Sequence, residues 1–239
     1  KPIVRGGSLG RTSATGDGVA ISVREALKVK GINPQGASVA IQGFGKVGYW
    51  AALALEKLGL KVVAVSDVKG GVTGFSDVET VAQYAKEHGT VVGMPGTDAL
   101  TNTELLHLPV DVLVPAALAD SITHSSAPGI KAKVIVEGAN APTTPQGDQI
   151  IHDKGILVVP DILANSGGVI VSYFEWVQDK QNFFWSADEV RENLTQILMR
   201  SISEVSETAR SKKVTWREAA NMIGVGRVAQ AHRLRGLYP

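Results

Sequence analysis

The chain has 239 residues, 44% of them apolar and 20% charged, which supplies a sizeable core and argues against intrinsic disorder. Its 24 Lys and Arg balance 23 Asp and Glu, so neither nucleic acid nor a membrane surface is implied as a partner. With 0 Cys, disulfides, Cys-held zinc, iron–sulfur clusters and thiol nucleophiles are excluded, and the composition fits a reducing, cytoplasmic setting.

No run of about 18 apolar residues marks a membrane span. The start, Lys1-Pro2-Ile3-Val4-Arg5, carries neither an initiator Met nor a signal pattern, so the chain reads as a piece that begins inside a longer protein. A glycine cluster, Gly6-Gly7-Ser8-Leu9-Gly10 followed by Gly16 and Gly18, reads as a loop leading into a helix whose apolar stripe is Val19, Val23, Ala26 and Leu27. Residues 37–42 read as a buried strand, and Gly43-Phe44-Gly45-Lys46-Val47-Gly48 follows directly. Val47, Ala51, Ala54, Leu55 and Leu58 then line one face of a helix that Gly59 stops. Residues 61–66 read as a second buried strand ending at Asp67, which completes a βαβ unit.

The alternation continues with a helix over 78–88 and strands over 111–114, 133–136 and 156–159, a helix over 144–154 preceding the last of these. Helices are expected over 162–180, 187–212 and 215–235, the last opened by a Thr215-x-x-Glu218 capping box. The order predicts an α/β fold: a Rossmann-like, doubly wound, mostly parallel sheet with helices on both faces and a helical C-terminal tail. We expect one dinucleotide-binding domain over 1–239, with its core at 12–164 and the C-terminal helices at 162–239.

Gly43, Gly45 and Gly48 form G-x-G-x-x-G. The first allows a tight turn, the second lets backbone approach a pyrophosphate, and the third lets helix pack on strand. The helix N-terminus adds free N–H groups and partial positive charge. Asp67, placed to accept hydrogen bonds from an adenosine ribose, favours NAD, whereas Lys69 two residues on suits a 2′-phosphate; NADP or dual use stays open. A methyltransferase also uses a Gly-rich first turn, but the third Gly fits a dinucleotide better. No Tyr has Lys four residues later, which excludes the short-chain dehydrogenase pattern.

Further on, Asn165-Ser166-Gly167-Gly168 reads as a helix start with Asn165 as its N-cap, and the paired glycines would leave room for a flat ring. Asn165, Val169 and Ser172 fall on one helical face. Ser172 has an equally open reading as a hydroxyl bonded back to its own helix carbonyls. The strand-end loop 137–145 carries Asn140, for which an Asx turn is the plain alternative. The five His are scattered without metal-ligand spacing.

Taken together, Gly6 to Arg11 with Ala14-Thr15-Gly16, Gly43 to Gly48, Glu137 to Thr144, Pro160 to Trp176, and the ending Arg233 to Pro239 resemble the cofactor domain of a glutamate dehydrogenase, in the family acting on glutamate, leucine, phenylalanine and valine. The resemblance implies that Thr15 and Asn165 reach the nicotinamide end and that Phe44, Gly45, Lys46 and Val47 wrap the pyrophosphate. Ala116 and Ala117 would line the groove, and Asn140 would lie near the nicotinamide ribose. Val169 and Ser172 would face the substrate, a hydroxyl at 172 suiting the distal carboxylate of glutamate. Many relatives carry Asn where Lys46 stands.

The family's Lys and Asp for proton transfer belong to a preceding substrate domain with no counterpart here. The resemblance therefore implies a chain that binds dinucleotide without turnover, and a full-length homo-oligomer, hexameric by family habit, whose partner is a small-molecule substrate. Leucine- or phenylalanine-type enzymes and a non-enzymatic NAD-sensing module are the rival readings.

Overall fold

A computed structural model describes residues 1–236. A 3-10 turn over Ile3–Arg5 leads to α1 (Ala14–Val29), and the βαβ unit follows as β1 (Ser38–Gln42), α2 (Lys46–Lys57) and β2 (Lys61–Ser66). Next come β3 (Gly71–Thr73), α3 (Val78–His88), β4 (Asp98–Leu100), α4 (Asn102–Leu106) and β5 (Val112–Pro115). Then follow β6 (Val134–Val136), α5 (Pro145–Asp153), β7 (Leu157–Val159), α6 (Asp161–Ala164), α7 (Gly167–Gln181), α8 (Ala187–Lys212) and α9 (Trp216–Arg235).

The strands form a single 7-stranded sheet in the order β4-β3-β2-β1-β5-β6-β7. β2, β1, β5, β6 and β7 are parallel, while on one edge β3 pairs antiparallel with β2 and β4 antiparallel with β3. The parallel strands are apolar because both their faces are covered. Side chains alternate between two cores: Val39 and Ile41 point to the side holding α1, α2, α7 and α8, while Ala40, Leu113 and Ile135 point to the side holding α4 and α5. The chain leaves β1 toward β2 and later resumes at β5 on β1's other side. That reversal opens a crevice at the strand C-termini, where open α/β sheets bind ligands.

The expected fold is therefore found, with three local corrections. α1 begins at Ala14, five residues before its apolar stripe, and takes in Gly16 and Gly18. A Cβ at Gly16 would lie 2.5 Å from the Ala51 nitrogen, so this glycine lets α1 lie directly on α2. The helix expected over 162–180 is broken at Asn165-Ser166 into α6 and α7. The strands β3 and β4, with the one-turn helix α4, stand where no element is expected from the sequence. Among the described residues no helix is long and apolar enough to cross a membrane. The end of the family-like C-terminal run, residues 237–239, lies outside the described residues.

Candidate dinucleotide site

The three motif glycines have three different physical reasons. Gly43 has φ +95°, and a Cβ there would sit 2.6 Å from the Ala117 nitrogen, so the turn needs glycine on both counts. A Cβ at Gly48 would lie 1.9 Å from the Gly43 carbonyl oxygen, which shows how closely α2 packs on the end of β1. At Gly45 no protein atom comes within 4 Å of the Cβ position. Gly45 is the N-cap of α2 and supplies no capping side chain, so the first-turn N–H groups have no side-chain partner, and Gly45 and Lys46 are exposed. That is a cradle for an anion, and it fits a pyrophosphate.

Backbone bonds knit the crevice floor. The Gly43 N–H donates to Ser66 O at 2.9 Å, the Ala116 N–H to Gln42 O at 2.7 Å, and the Gly138 and Ala139 N–H groups both to Pro115 O at 2.9 Å. The Cβ position of Gly138 lies 3.0 Å from the Ala116 Cβ and 3.4 Å from the Val47 side chain. The fold thus brings together the glycine turn, Ala116, Ala117 and the loop bearing Asn140. Phe44 packs edge-on to Tyr49, and Lys46 is exposed at the first position of α2. A cleft of about 600 Å³ opens beside this turn, between Lys46 and Tyr49 on one side and Gln83 and Lys86 of α3 on the other. A smaller one of about 380 Å³ runs along β7 at the sheet's outer edge, past Leu157 and Trp216.

Asp67 lies at the end of β2. Its Oδ1 accepts from the Lys69 N–H and its Oδ2 from the Val91 N–H, both at 2.7 Å, so the carboxylate shapes its own turn. Lys69 is exposed in that turn. Partial burial works to raise the Asp67 pKa, but hydrogen bonds from Thr90, Val91, Lys69 and Gly70 outweigh it and hold the pKa below the ordinary 3.8. A lowered carboxyl pKa adds stability above the unfolded value, and the gain is lost as pH falls through the folded one. The stability gap between wild type and Asp67→Asn in urea unfolding is therefore expected to be constant above about pH 5 and to close below 3.8. A gap independent of pH would remove this account.

At the other end of the crevice, Asn165 does not cap α7. It is the C-cap of α6, and its side-chain amide donates to Asn140 Oδ1 at 2.7 Å; Ser166 occupies the cap position instead. The amide is drawn off to the 138–140 loop, so the two asparagines meet, and Asn140 makes its side-chain bond to Asn165. Nor do the paired glycines leave room for a ring. A Cβ at Gly167 would lie 2.1 Å from Ala14 O, and one at Gly168 would lie 2.5 Å from Thr15 Oγ1, so α1 fills that space. This close approach sets Thr15 against the first turn of α7.

Ser172 adopts its plainer reading and donates to Gly168 O at 2.9 Å, but its oxygen also accepts from Arg11 Nε at 2.8 Å. Nothing in the residue spacing marks Arg11 beyond its membership of the Gly6–Arg11 run. Val169, 68% exposed, stands one turn from Ser172 on α7 and continues into exposed Tyr173 and Trp176, an apolar wall beside the crevice.

Sequence reasoning also misses an ionic cluster beneath the Asn pair. Glu137, at the end of β6, is wholly buried and takes a two-pronged bond from Arg217 of α9, at 2.7 and 3.0 Å. Arg217 makes a second such pair with Asp148 of α5, both bonds at 3.0 Å. Burial works against the guanidinium's charge, but the hydrogen bonds to Glu137 and Asp148 outweigh it and raise its pKa further above its ordinary value. The partners lie 80 and 69 residues apart, beyond the reach of any local pattern. Among the described residues no group of His, Asp and Glu has the makings of a metal site.

Comparison with known proteins adds the following. The family model described as Glutamate/Leucine/Phenylalanine/Valine dehydrogenase matches residues 6–236. A glutamate dehydrogenase of Thermotoga maritima is 53% identical over 243 residues, covering 100% of this chain and 58% of the relative. A cryptic catabolic NAD-specific glutamate dehydrogenase of Bacillus subtilis is 46% identical, covering 99% of this chain and 56% of its own length. Among solved structures, a hetero-hexameric glutamate dehydrogenase of Thermus thermophilus in a Leu-bound form superposes with a TM-score of 0.94 at 36% identity, over 100% of this chain and 57% of that one. The chain thus spans a little over half the length of these relatives.

Proposed function

The chain belongs to the glutamate/leucine/phenylalanine/valine dehydrogenase family, and on that premise we propose that it is the cofactor-binding part of an NAD-dependent L-glutamate dehydrogenase. The observation that carries this reading is the Gly45 cradle: an uncapped, exposed helix N-terminus at the sheet's switch point. The α2 N–H groups would hold the pyrophosphate, with Asp67 at the adenosine ribose and Ala116 and Ala117 along the groove. Thr15, Asn140 and Asn165 would lie at the nicotinamide end. A nicotinamide held there would supply the hydride acceptor for oxidative deamination of glutamate, with water, to 2-oxoglutarate and ammonia.

The chain's own residues position and enclose. Val169 and the apolar face of α7 form one wall of the substrate cleft, and Ser172, its hydroxyl fixed by Arg11, offers a polar contact to a distal carboxylate. The proton-transferring Lys and Asp would come from the part of the relatives' length that this chain does not span, so the chain alone binds dinucleotide without turning glutamate over. Assembly of the whole enzyme into a homo-oligomer is part of the same reading; the Thermus relative also assembles, as a hetero-hexamer. NAD is favoured by the Asp67 carboxylate and by the NAD-specific Bacillus relatives.

Calorimetric titration with NADH and, separately, NADPH tests this. Saturable NADH binding, with NADPH weaker by about tenfold or more, is expected. Tighter NADPH binding would transfer the ribose role from Asp67 to a 2′-phosphate contact at Lys69, and binding of neither would overturn the site. Glutamate-dependent NADH production by the chain alone would overturn the assignment of proton transfer to the unspanned part.

A further inference from the structure

We infer that Arg217 of α9 is a positioning residue for the nicotinamide end of the cofactor site, acting through Glu137 to fix the two loop segments that bring Asn140 and Asn165 together. The inference rests on the reading of the crevice as a dinucleotide site.

The geometry runs outward from Glu137. Its Oε1 accepts from Thr143 Oγ1 at 2.6 Å and from Arg217 at 2.7 Å. Its Oε2 accepts from the Asp161 N–H at 2.9 Å and from Arg217 at 3.0 Å. All four lone-pair sites of the carboxylate are used. Thr143 lies three residues after Asn140 and Asp161 four residues before Asn165, so one carboxylate clasps both loops. Asp161 passes the constraint on, its Oδ2 accepting from the Ala141 N–H at 2.7 Å. Ala141 has φ +46°, a left-handed conformation that costs a non-glycine residue free energy and persists only when its surroundings hold it. Two further bonds do so from the β5 side, from Asp120 N to Ala141 O at 3.0 Å and from Ile122 N to Pro142 O at 2.8 Å.

The strained residue is the neighbour of Asn140, whose side chain carries the contact to Asn165. Arg217 is the charge that makes the clasp tenable. Without it Glu137 is a buried carboxylate with two neutral donors, and it would draw water or rearrange. Asp148 holds the guanidinium plane from the other side, so the clasp has one orientation.

A purely structural role would be to pin α9 to the sheet. The two roles separate by probe. ADP reaches only the glycine turn and the adenosine end, whereas NADH also spans the Asn pair. In the 239-residue chain, Arg217→Met is expected to weaken NADH about tenfold and to leave ADP within about twofold. In the free chain the same variant is expected to speed hydrogen exchange at the Ala141 amide about tenfold, with the β1 amides unchanged.

The paired variant Glu137→Gln with Arg217→Met removes the stranded charge. It is expected to recover folding stability but not NADH affinity. Equal weakening of both probes, no change in either, an unaltered Ala141 amide, or recovery of NADH affinity in the paired variant would each overturn the positioning role. A wild-type chain that binds neither probe would overturn the dinucleotide reading itself.

Discussion

Gly48→Ala and Gly45→Ser are expected to part company completely: the first loses folding stability and dinucleotide binding together, the second loses binding alone. A Cβ at 48 lands 1.9 Å from the Gly43 carbonyl oxygen and 3.3 Å from the Ile41 side chain. The nearer obstacle is backbone, so α2 must move off the end of β1. Overpacking of this kind costs about 1–3 kcal/mol, and the contact with a fixed carbonyl puts Gly48→Ala at the upper end. The N-terminus of α2 moves with it, so the cradle is displaced. At 45 the Cβ meets no protein atom within 4 Å, and the backbone has φ −86°, which any residue adopts. Serine is a favoured N-cap, and its hydroxyl would bond the same first-turn N–H groups that the pyrophosphate needs. Stability is held or slightly raised, while NADH affinity falls at least about tenfold, or about 1.4 kcal/mol. Thermal unfolding and NADH titration of both variants check this. Wild-type NADH affinity in Gly45→Ser would remove the cradle from the site.

The parallel strands were legible because burial on both faces makes them short, unbroken apolar runs between glycines, and the crevice followed from them. The edge was not. β3 and β4 are three residues each, and Asp98-Ala99-Leu100 of β4 is largely exposed, so no alternation or apolar run distinguishes them from a loop. Only pairing, of β3 with β2 and of β4 with β3, makes them strands. At the glycine turn, spacing sufficed because each glycine answers to atoms within a few residues or directly across the switch point. Gly167 and Gly168 answer to Ala14 and Thr15 on another helix. Their purpose is a helix–helix approach that local spacing cannot reveal. Asn165 was legible as polar and near a helix start, but its partner, Asn140, depends on a backbone turn at Ala141 that a chain read residue by residue gives no reason to expect.

Removing Arg217 is expected to cost more stability than removing both halves of its pair with Glu137. Arg217→Met leaves Glu137, wholly buried, facing the neutral donors of Thr143 and Asp161. Breaking a buried pair from one side costs about 3–5 kcal/mol, and the lower end applies because the Arg217 side chain is 24% exposed and water can partly replace it. Adding Glu137→Gln cancels the stranded charge. The amide oxygen can take the place of Oε2 and accept from the Asp161 N–H, but without the guanidinium nothing fixes the amide plane toward the Thr143 loop. Replacing both partners with neutral groups of similar shape is often close to neutral. Urea unfolding at one pH should therefore place the paired variant between wild type and Arg217→Met. If the pair is no more stable than Arg217→Met alone, the cost lies in lost packing of α9 against α5 and β7, not in the uncompensated carboxylate. If the paired variant lies close to wild type, the ion pair contributes little net stability, and its role is the geometry it imposes on the Ala141 turn above it.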